Sequence, residues 1–169
     1  MQTKHVFPIV LAIALFSLSA TTALADPLST GYPVSVGDQY SITTISGHAQ
    51  AWFDGHWLSG PANLQLQVQV TFVGQYNILF RVLSGTFSID YKNYVIDWSR
   101  WSGDYNLDSH TAVYQGPATA PNGGIGYFTL YTQDTGVGSG GVLMNATSDF
   151  SGEYGALWHV DLAVVRYPG

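Results

Sequence analysis

Apolar and polar residues alternate with a period of two along much of this chain, a pattern typical of β-strands with one buried face and one exposed face. The clearest run covers residues 64–72, where every even position is apolar and every odd position is polar. No segment shows the 3.6-residue periodicity of an amphipathic helix. A slip of one residue would exchange the two faces of such a strand, so the pattern restricts the register of its pairing.

Short turn-forming segments after this run predict an antiparallel meander whose strands share one apolar face. We expect a bulged three-residue loop at 74–76 and two-residue loops at 84–85 and 92–93. The pairs expected to face each other are Val70–Phe80, Phe72–Ile78, Val82–Phe87, Phe80–Ile89, Ile78–Tyr91, Tyr91–Tyr94, Ile89–Ile96 and Phe87–Trp98.

Asp54-Gly55 is the strongest hairpin signal in the chain, because these residue types favour the positive φ angles of a type I′ turn. The turn places Trp52 opposite Trp57, on the same face as His48 and Gln50. The other face receives Ala49, Ala51, Phe53, His56 and Leu58. We therefore expect both tryptophans to point away from the core on which this hairpin packs.

The whole pattern predicts a single all-β domain at residues 26–169. Further strands are expected near residues 40–45, 111–115, 126–133, 141–149 and 154–166, with loops at 99–109 and 116–125. Ten or eleven short strands joined by hairpins form either a barrel or a two-sheet sandwich. The consecutive registers indicate a meander and favour the barrel over the sandwich.

A transmembrane barrel is a further alternative, because alternation alone does not distinguish a core-facing surface from a lipid-facing one. Strands that span a bilayer need about 9–11 residues. The expected strands at 86–91 and 94–99 have only about six, which disfavours this alternative.

Residues 1–25 have the three parts of a secretory signal peptide. Lys4 supplies the cationic start, residues 6–18 form an apolar run, and Ala23-Leu24-Ala25 gives the small-x-small pattern of a cleavage site. Thirteen helical residues rise about 20 Å, which is short of the roughly 30 Å hydrocarbon core and disfavours an uncleaved anchor. We expect a secreted or extracytoplasmic mature protein without a membrane span.

Composition excludes several classes of function. The 169-residue chain has five Lys and Arg against eleven Asp and Glu, a formal net charge of −6. Nucleic-acid binding requires clustered cations, so no nucleic-acid partner is expected. The absence of Cys excludes disulfides and thiolate metal sites. An aromatic content of 14% indicates a folded domain rather than a disordered chain.

Trp52 and Trp57 are the leading candidates for ligand contact. Two exposed indoles beside His48 and Gln50 would form a flat apolar platform with polar groups at its edge. Sugars bind such platforms, because their C–H faces stack on aromatic rings while their hydroxyls need hydrogen-bond partners. The alternative is that a second sheet or a loop covers both tryptophans, whose pairing contributes about 0.5–1.5 kcal/mol beyond burial.

A second aromatic cluster lies at Trp98-Ser99-Arg100-Trp101, where the chain leaves a predicted strand for a loop. An aromatic loop exposes apolar surface to water unless it packs or binds something. Trp98, Arg100 and Trp101 are therefore either packed within the loop or part of a binding site.

Catalytic signals are weak. Asp90 and Asp97 are expected at diagonal positions on the polar face of adjacent strands, with Cβ atoms about 7 Å apart. Their carboxyls could reach the separations that glycosidases use, but two solvated acids are the simpler interpretation. The histidines of the predicted mature chain, at positions 48, 56, 110 and 159, show no H-x-H spacing. We expect no catalytic site, no metal site and no cofactor.

The sequence thus favours a secreted, non-catalytic binding or surface-associated domain for an extracellular glycan or another ligand. A barrel that carries a small apolar molecule in its mouth or interior is the first alternative. A small secreted hydrolase or a His-metal enzyme is the second.

Overall fold

The computed structural model describes residues 34–90, 92–119, 123, 125–138, 140–151 and 157–169. The predicted signal peptide lies outside these residues. In the described part the strands are β1 (Gln39–Phe53), β2 (His56–Val73), β3 (Asn77–Ile89), β4 (Lys92–Asn93), β5 (Val95–Ile96), β6 (Ser102–Asn106), β7 (Thr111–Thr119), β8 (Ile125–Gly138), β9 (Gly141–Ser151) and β10 (Leu157–Pro168). A 3₁₀ helix, η1 (Trp98–Arg100), lies between β5 and β6.

Eight strands close into an antiparallel barrel. β1 pairs with β2, β2 with β3, and β3 with β6, after which β6 to β10 pair in chain order and β10 returns to β1. The two short strands between β3 and β6 are additions, since β4 pairs with β3 and β5 with β7. The predicted all-β, meander-rich fold and the preference for a barrel are confirmed, whereas two of the three loops predicted between residues 70 and 98 are wrong.

Inward-facing side chains fill the barrel. On β2 they are the even positions from 62 to 70, as the alternation predicts, and Leu64 and Val68 are fully buried. Aromatic rings continue the packing across the interior, with centroids 4.8 Å apart for Phe87 and Phe128 and 6.4 Å apart for Tyr40 and Phe80. An eight-stranded barrel is just wide enough for side chains to fill in this way.

The predicted hairpin at Ser84-Gly85 is wrong, because both residues lie inside the continuous strand β3. Leu83 is instead an extra residue where the register between β2 and β3 shifts, which makes it a β-bulge. The bulge moves the alternation of inward-facing and outward-facing side chains by one position. Val82 and Phe87 therefore both face the core, but they do not pair with each other. A bulge and a two-residue turn leave the same reversal of parity in a sequence.

The predicted turn at Lys92-Asn93 is also wrong. Ile89 lies opposite Lys92 and Ser88 opposite Asn93, so Lys92 and Asn93 are strand residues, and Asp90 adopts a positive φ of 48°. Tyr91 lies outside the described residues, so its two expected pairs are not described. The pairs Ile89–Ile96 and Phe87–Trp98 do not form, since Ile96 pairs with Ala118 and Trp98 belongs to η1.

The loop at 74–76 and the pair Val70–Phe80 are confirmed. Phe72 pairs with Leu79 rather than Ile78, because Thr71 forms a second bulge. Since β3 is continuous, Phe80 and Ile89 lie on one strand and do not pair.

Two predicted loops contain strands. The expected loop 99–109 includes β6, whose short pattern has only Gly103 and Tyr105 facing inward. The expected loop 116–125 begins inside β7. Residues 40–45, expected as a separate strand, join the Asp54-Gly55 hairpin as one strand that is bulged between Thr44 and Ser46. Residues 154–156 of the predicted last strand lie outside the described part.

The β1–β2 turn and the β3–β4 turn lie at the same end of the barrel, which we call the Asp54 end. The 74–76 loop and the β6–β7 connection lie at the opposite end. No helix among the described residues has the length and apolar character needed to cross a membrane.

Candidate functional site

The β1–β2 hairpin forms as predicted. Asp54 and Gly55 have φ angles of 47° and 79°, the positive values that a type I′ turn requires. Trp52 and Trp57 are direct cross-strand partners. Ala51 is buried on the inner face of the same strand, so the alternation directs both indoles outward.

Both tryptophans are exposed to solvent. Trp52 retains 55% and Trp57 66% of its accessible surface, and their ring centroids are 5.3 Å apart. The ring planes meet at 70°, an edge-to-face arrangement that aromatic pairs prefer to a face-to-face sandwich. The predicted flat platform is therefore a corner, in which two apolar surfaces meet at a steep angle.

Closure of the barrel extends this corner into a longer surface. His48 and Gln50 are exposed on β1 beside Trp52. Because β10 pairs with β1, Gln50 lies opposite His159 and His48 lies opposite Asp161. We call this surface the outer strip, which consists of Trp57 and Ser59 on β2, His48, Gln50 and Trp52 on β1, His159 and Asp161 on β10, and Thr147 and Asp149 on β9.

An imidazole between two carboxylates dominates the charge of the outer strip. His159 Nδ1 lies 2.6 Å from Asp149 Oδ1, and its Nε2 lies 3.3 Å from Asp161 Oδ2. The hydrogen bond with Asp149, helped by the charge of Asp161, raises the pKa of His159 above its usual value. With His159 protonated, these three groups carry a net charge of −1, and with His159 neutral they carry −2.

A shallow groove of about 510 Å³ continues the outer strip across β1, β10 and β9. Small residues at Gly47 and Ala163 form part of its lining, and His48, Asp161 and Asn145 contribute polar groups. The exposed corner offers apolar faces for stacking, and the groove beside it offers hydrogen-bond donors and acceptors.

The second predicted cluster is mainly a packing feature. Trp101 is buried, its Nε1–H donates to the Pro117 carbonyl at 3.0 Å, and its ring lies 5.4 Å from that of Phe128. Trp98 packs half-buried against Trp101 with ring centroids 5.0 Å apart, and Arg100 is exposed at the end of η1. This segment contacts β3 and β7, so the structure does not bring it to the outer strip.

The predicted carboxylate pair does not form. Asp90 lies in the turn after β3, where its backbone N–H donates to the Pro61 carbonyl at 2.8 Å. Asp97 precedes η1 and accepts a hydrogen bond from Ser99. Asp90 and Asp97 are therefore not diagonal neighbours on adjacent strands.

The described histidines lie at three places. His48 and His159 are on the outer strip, His56 is at the Asp54 end, and His110 is at the opposite end beside Tyr105. Among the described residues no group of three or more His, Asp or Glu side chains has the arrangement of a metal site.

The barrel contains a charged network that was not predicted from the sequence. Arg166 is fully buried, and its Nη2 donates to Asp134 Oδ2 at 3.1 Å. Tyr105 donates its hydroxyl to the same oxygen at 2.7 Å, and the guanidinium lies 5.3 Å from the Tyr105 ring centre. The parity of β10 could have revealed it, since Arg166 continues the inward stripe that contains Val160 and Val164.

The tyrosines around this network stay protonated. Burial and the hydrogen bond to Asp134 raise the pKa of Tyr105. Burial raises the pKa of Tyr114 to about 12. The network therefore contains one cation and one anion, and the neutral Tyr105 hydroxyl stabilises the pair through its hydrogen bond to Asp134.

No family model, curated protein or solved structure shows a significant match to this chain. Its topology defines an eight-stranded up-and-down antiparallel barrel.

Proposed function

We propose that this protein is a secreted, non-catalytic binding domain that holds an extracellular oligosaccharide along the outer strip. The exposed corner of Trp52 and Trp57 is the observation that carries the proposal. Export is supported by the signal-peptide pattern of residues 1–25. Large aromatic side chains that remain exposed beside polar groups are typical of interaction sites.

Sugar chemistry fits the groups beside the two indoles. A pyranose ring presents a C–H face that stacks on an indole and hydroxyls around its edge that donate and accept hydrogen bonds. Gln50 and Ser59 are cross-strand partners of each other, and their pair lies next to the Trp52–Trp57 pair along the hairpin. Asp161 and Asp149 provide carboxylates, which form hydrogen bonds stronger than those of neutral acceptors.

The length of the outer strip supports an oligosaccharide rather than a single sugar ring as the ligand. Trp57 is on β2 and Asp149 is on β9, and β1 and β10 lie between them. Three inter-strand steps of about 4.8 Å give a length of about 14 Å. A ligand that uses both ends of the strip must therefore contain several rings.

The charge of the outer strip favours neutral glycans and amino sugars over acidic ones. His159 contributes at most one positive charge, whereas Asp149 and Asp161 contribute two negative charges. The formal charge of the whole chain, −6, acts in the same direction. Uronic acids and sulfated sugars would be repelled.

A glycan array with neutral, amino and acidic oligosaccharides tests the proposal, followed by calorimetric titration of the best ligand. Trp52→Ala and Trp57→Ala should each weaken binding about tenfold, which corresponds to roughly 1.4 kcal/mol of lost contact. Tyr127→Ala is the matched control, because Tyr127 is 61% exposed on β8 outside the outer strip. Unchanged affinity in both folded tryptophan variants, or an array without binding, contradicts the proposal.

A further inference from the structure

A pocket at the Asp54 end of the barrel lies beside the outer strip and shares one lining residue, Ser59, with it. It has a volume of about 360 Å³ and lies between the β1–β2 hairpin, the end of β3 and the start of β10. Its apolar lining comes from Phe53, Leu58, Ile89, Tyr94 and Trp158, and its polar lining from His56, Ser59, Asp90 and Lys92. We call it the mouth pocket. Its volume lies within the range of small-molecule sites, about 300–1,000 Å³.

The local sequence explains the apolar part of the mouth pocket. Phe53 and Leu58 belong to the inner face of the hairpin, which continues the inward stripe of Ala49 and Ala51 beyond the packed core. At the hairpin tip these side chains are only partly buried. Trp158 pairs with Ala51, so a large inward side chain sits opposite a small one at this level of the barrel.

Trp158 brings a hydrogen-bond donor to this end of the barrel. Its side chain is about nine-tenths buried, and its Nε1–H has no acceptor among the described residues. Ser148 lies on the same inner face of β9, diagonal to Trp158, and its buried hydroxyl has no partner in that part of the chain either. Buried polar groups are normally hydrogen-bonded, so an acceptor bound next to the Trp158 Nε1–H would supply a hydrogen bond that the described residues do not provide.

We propose that the mouth pocket binds a small, neutral molecule with an apolar body and one hydrogen-bond acceptor, such as a carbonyl oxygen. Because Trp158 Nε1 is buried in the structure, the acceptor reaches its N–H through a shift of the indole towards the pocket. A neutral acceptor is favoured because the opposite charges of Lys92 and Asp90 leave the lining without a net charge to attract an ion, and the apolar part of the lining does not compensate for desolvating a carboxylate. This proposal is independent of the glycan site. The mouth pocket would be the ligand site of the carrier that the sequence analysis gives as the first alternative.

Three probes with the same two-ring body separate the contributions of the apolar walls, the acceptor and charge. Benzophenone carries a neutral carbonyl, diphenylmethane lacks an acceptor, and diphenylacetate carries a carboxylate. We expect benzophenone to bind about fivefold more tightly than diphenylmethane, the gain of one net hydrogen bond. Diphenylacetate should bind most weakly.

The readout is the set of indole N–H signals in a ¹H–¹⁵N correlation spectrum, with the Trp158 signal assigned from Trp158→Phe. Benzophenone should shift the Trp158 signal and leave those of Trp52 and Trp57 in place. In Trp158→Phe, which keeps a ring but removes the donor, the affinity for benzophenone should fall to that for diphenylmethane. Equal affinities of all three probes for the wild-type protein would overturn the assignment of the donor.

A pocket-filling variant tests the location. Leu58→Trp should lower the affinity for benzophenone at least tenfold, whereas Leu83→Trp should not change it, because Leu83 lies on the outer side of β3 away from the pocket. Circular dichroism confirms that both variants fold. Retained affinity in folded Leu58→Trp, or no shift of the Trp158 signal up to the solubility limit of benzophenone, overturns the proposal.

Discussion

Replacing Asp134 with Asn should destabilise the barrel strongly, because it removes the carboxylate that pairs with a fully buried guanidinium. Arg166 has no exposed surface, and the Asp134 side chain is only 10% exposed. Asn keeps the shape of Asp134 and can still accept the hydrogen bond from Tyr105. The substitution therefore changes the charge at this site with little change in packing.

The expected cost follows from burial. Removing one partner of a buried ion pair costs about 3–5 kcal/mol, since the other charge stays desolvated without compensation. The amide dipole of Asn recovers part of this energy, so we expect about 3 kcal/mol. Domains are stable by only about 5–15 kcal/mol, and for a domain of this size the loss corresponds to a fall in Tm of about 10 °C.

Urea unfolding followed by tryptophan fluorescence measures this cost, with similar m-values required for the comparison. The combined variant Asp134→Leu with Arg166→Met is the control. It removes both charges and their desolvation, so it should be less destabilised than Asp134→Asn alone. A cost below about 1 kcal/mol for Asp134→Asn would show that water screens the pair and would refute the reasoning from burial.

Two further predictions concern pH. Burial raises the pKa of Tyr114 from 10.0 to about 12, so the stabilisation of the fold by the neutral phenol is complete below pH 10 and is lost as the pH rises towards 12. Tyr114→Phe should therefore unfold at higher pH than the wild-type protein, as followed by tyrosinate absorbance. An unchanged alkaline transition would contradict this. The pKa of His159 is raised, so its ion pairs stabilise the fold fully below pH 6.5 and this effect is lost as the pH rises through the folded-state pKa. In an NMR titration Asp149→Asn should lower that pKa more than Asp161→Asn, because Asp149 makes the shorter contact, and the reverse order would be inconsistent with the geometry.

The sequence predicted the fold class and the Asp54-Gly55 hairpin because both depend on local chemistry. The turn requires positive φ at two successive residues, and Asp-Gly supplies them at little cost. The bulge at Leu83 was not recognised, because the Ser84-Gly85 pair beside it also has turn chemistry. Choosing between a bulge and a turn requires the partner strand, and the continuous pairing of β3 with β2 is a long-range fact.

The candidate site was also predicted only in part from the sequence. Alternation put His48, Gln50, Trp52 and Trp57 on one face, and the structure places them there. Alternation does not say whether another layer covers that face, so exposure of the indoles followed only from closure of the barrel. The contribution of His159 could not be predicted, because it depends on β10 returning to β1 across more than a hundred residues.

The two faces of the β1–β2 hairpin contribute side chains to the two proposed sites. Variants on one face therefore test one proposal without changing the other site. Trp52 and Trp57 point to the outer strip, whereas Phe53 and Leu58 face the mouth pocket. Neighbouring residues on a strand point to opposite sides of the sheet, so Trp52→Ala changes the outer strip and leaves the pocket lining in place. Leu58→Trp does the converse. A glycan affinity that changes only in the first variant and a benzophenone affinity that changes only in the second would therefore establish two independent sites on one hairpin.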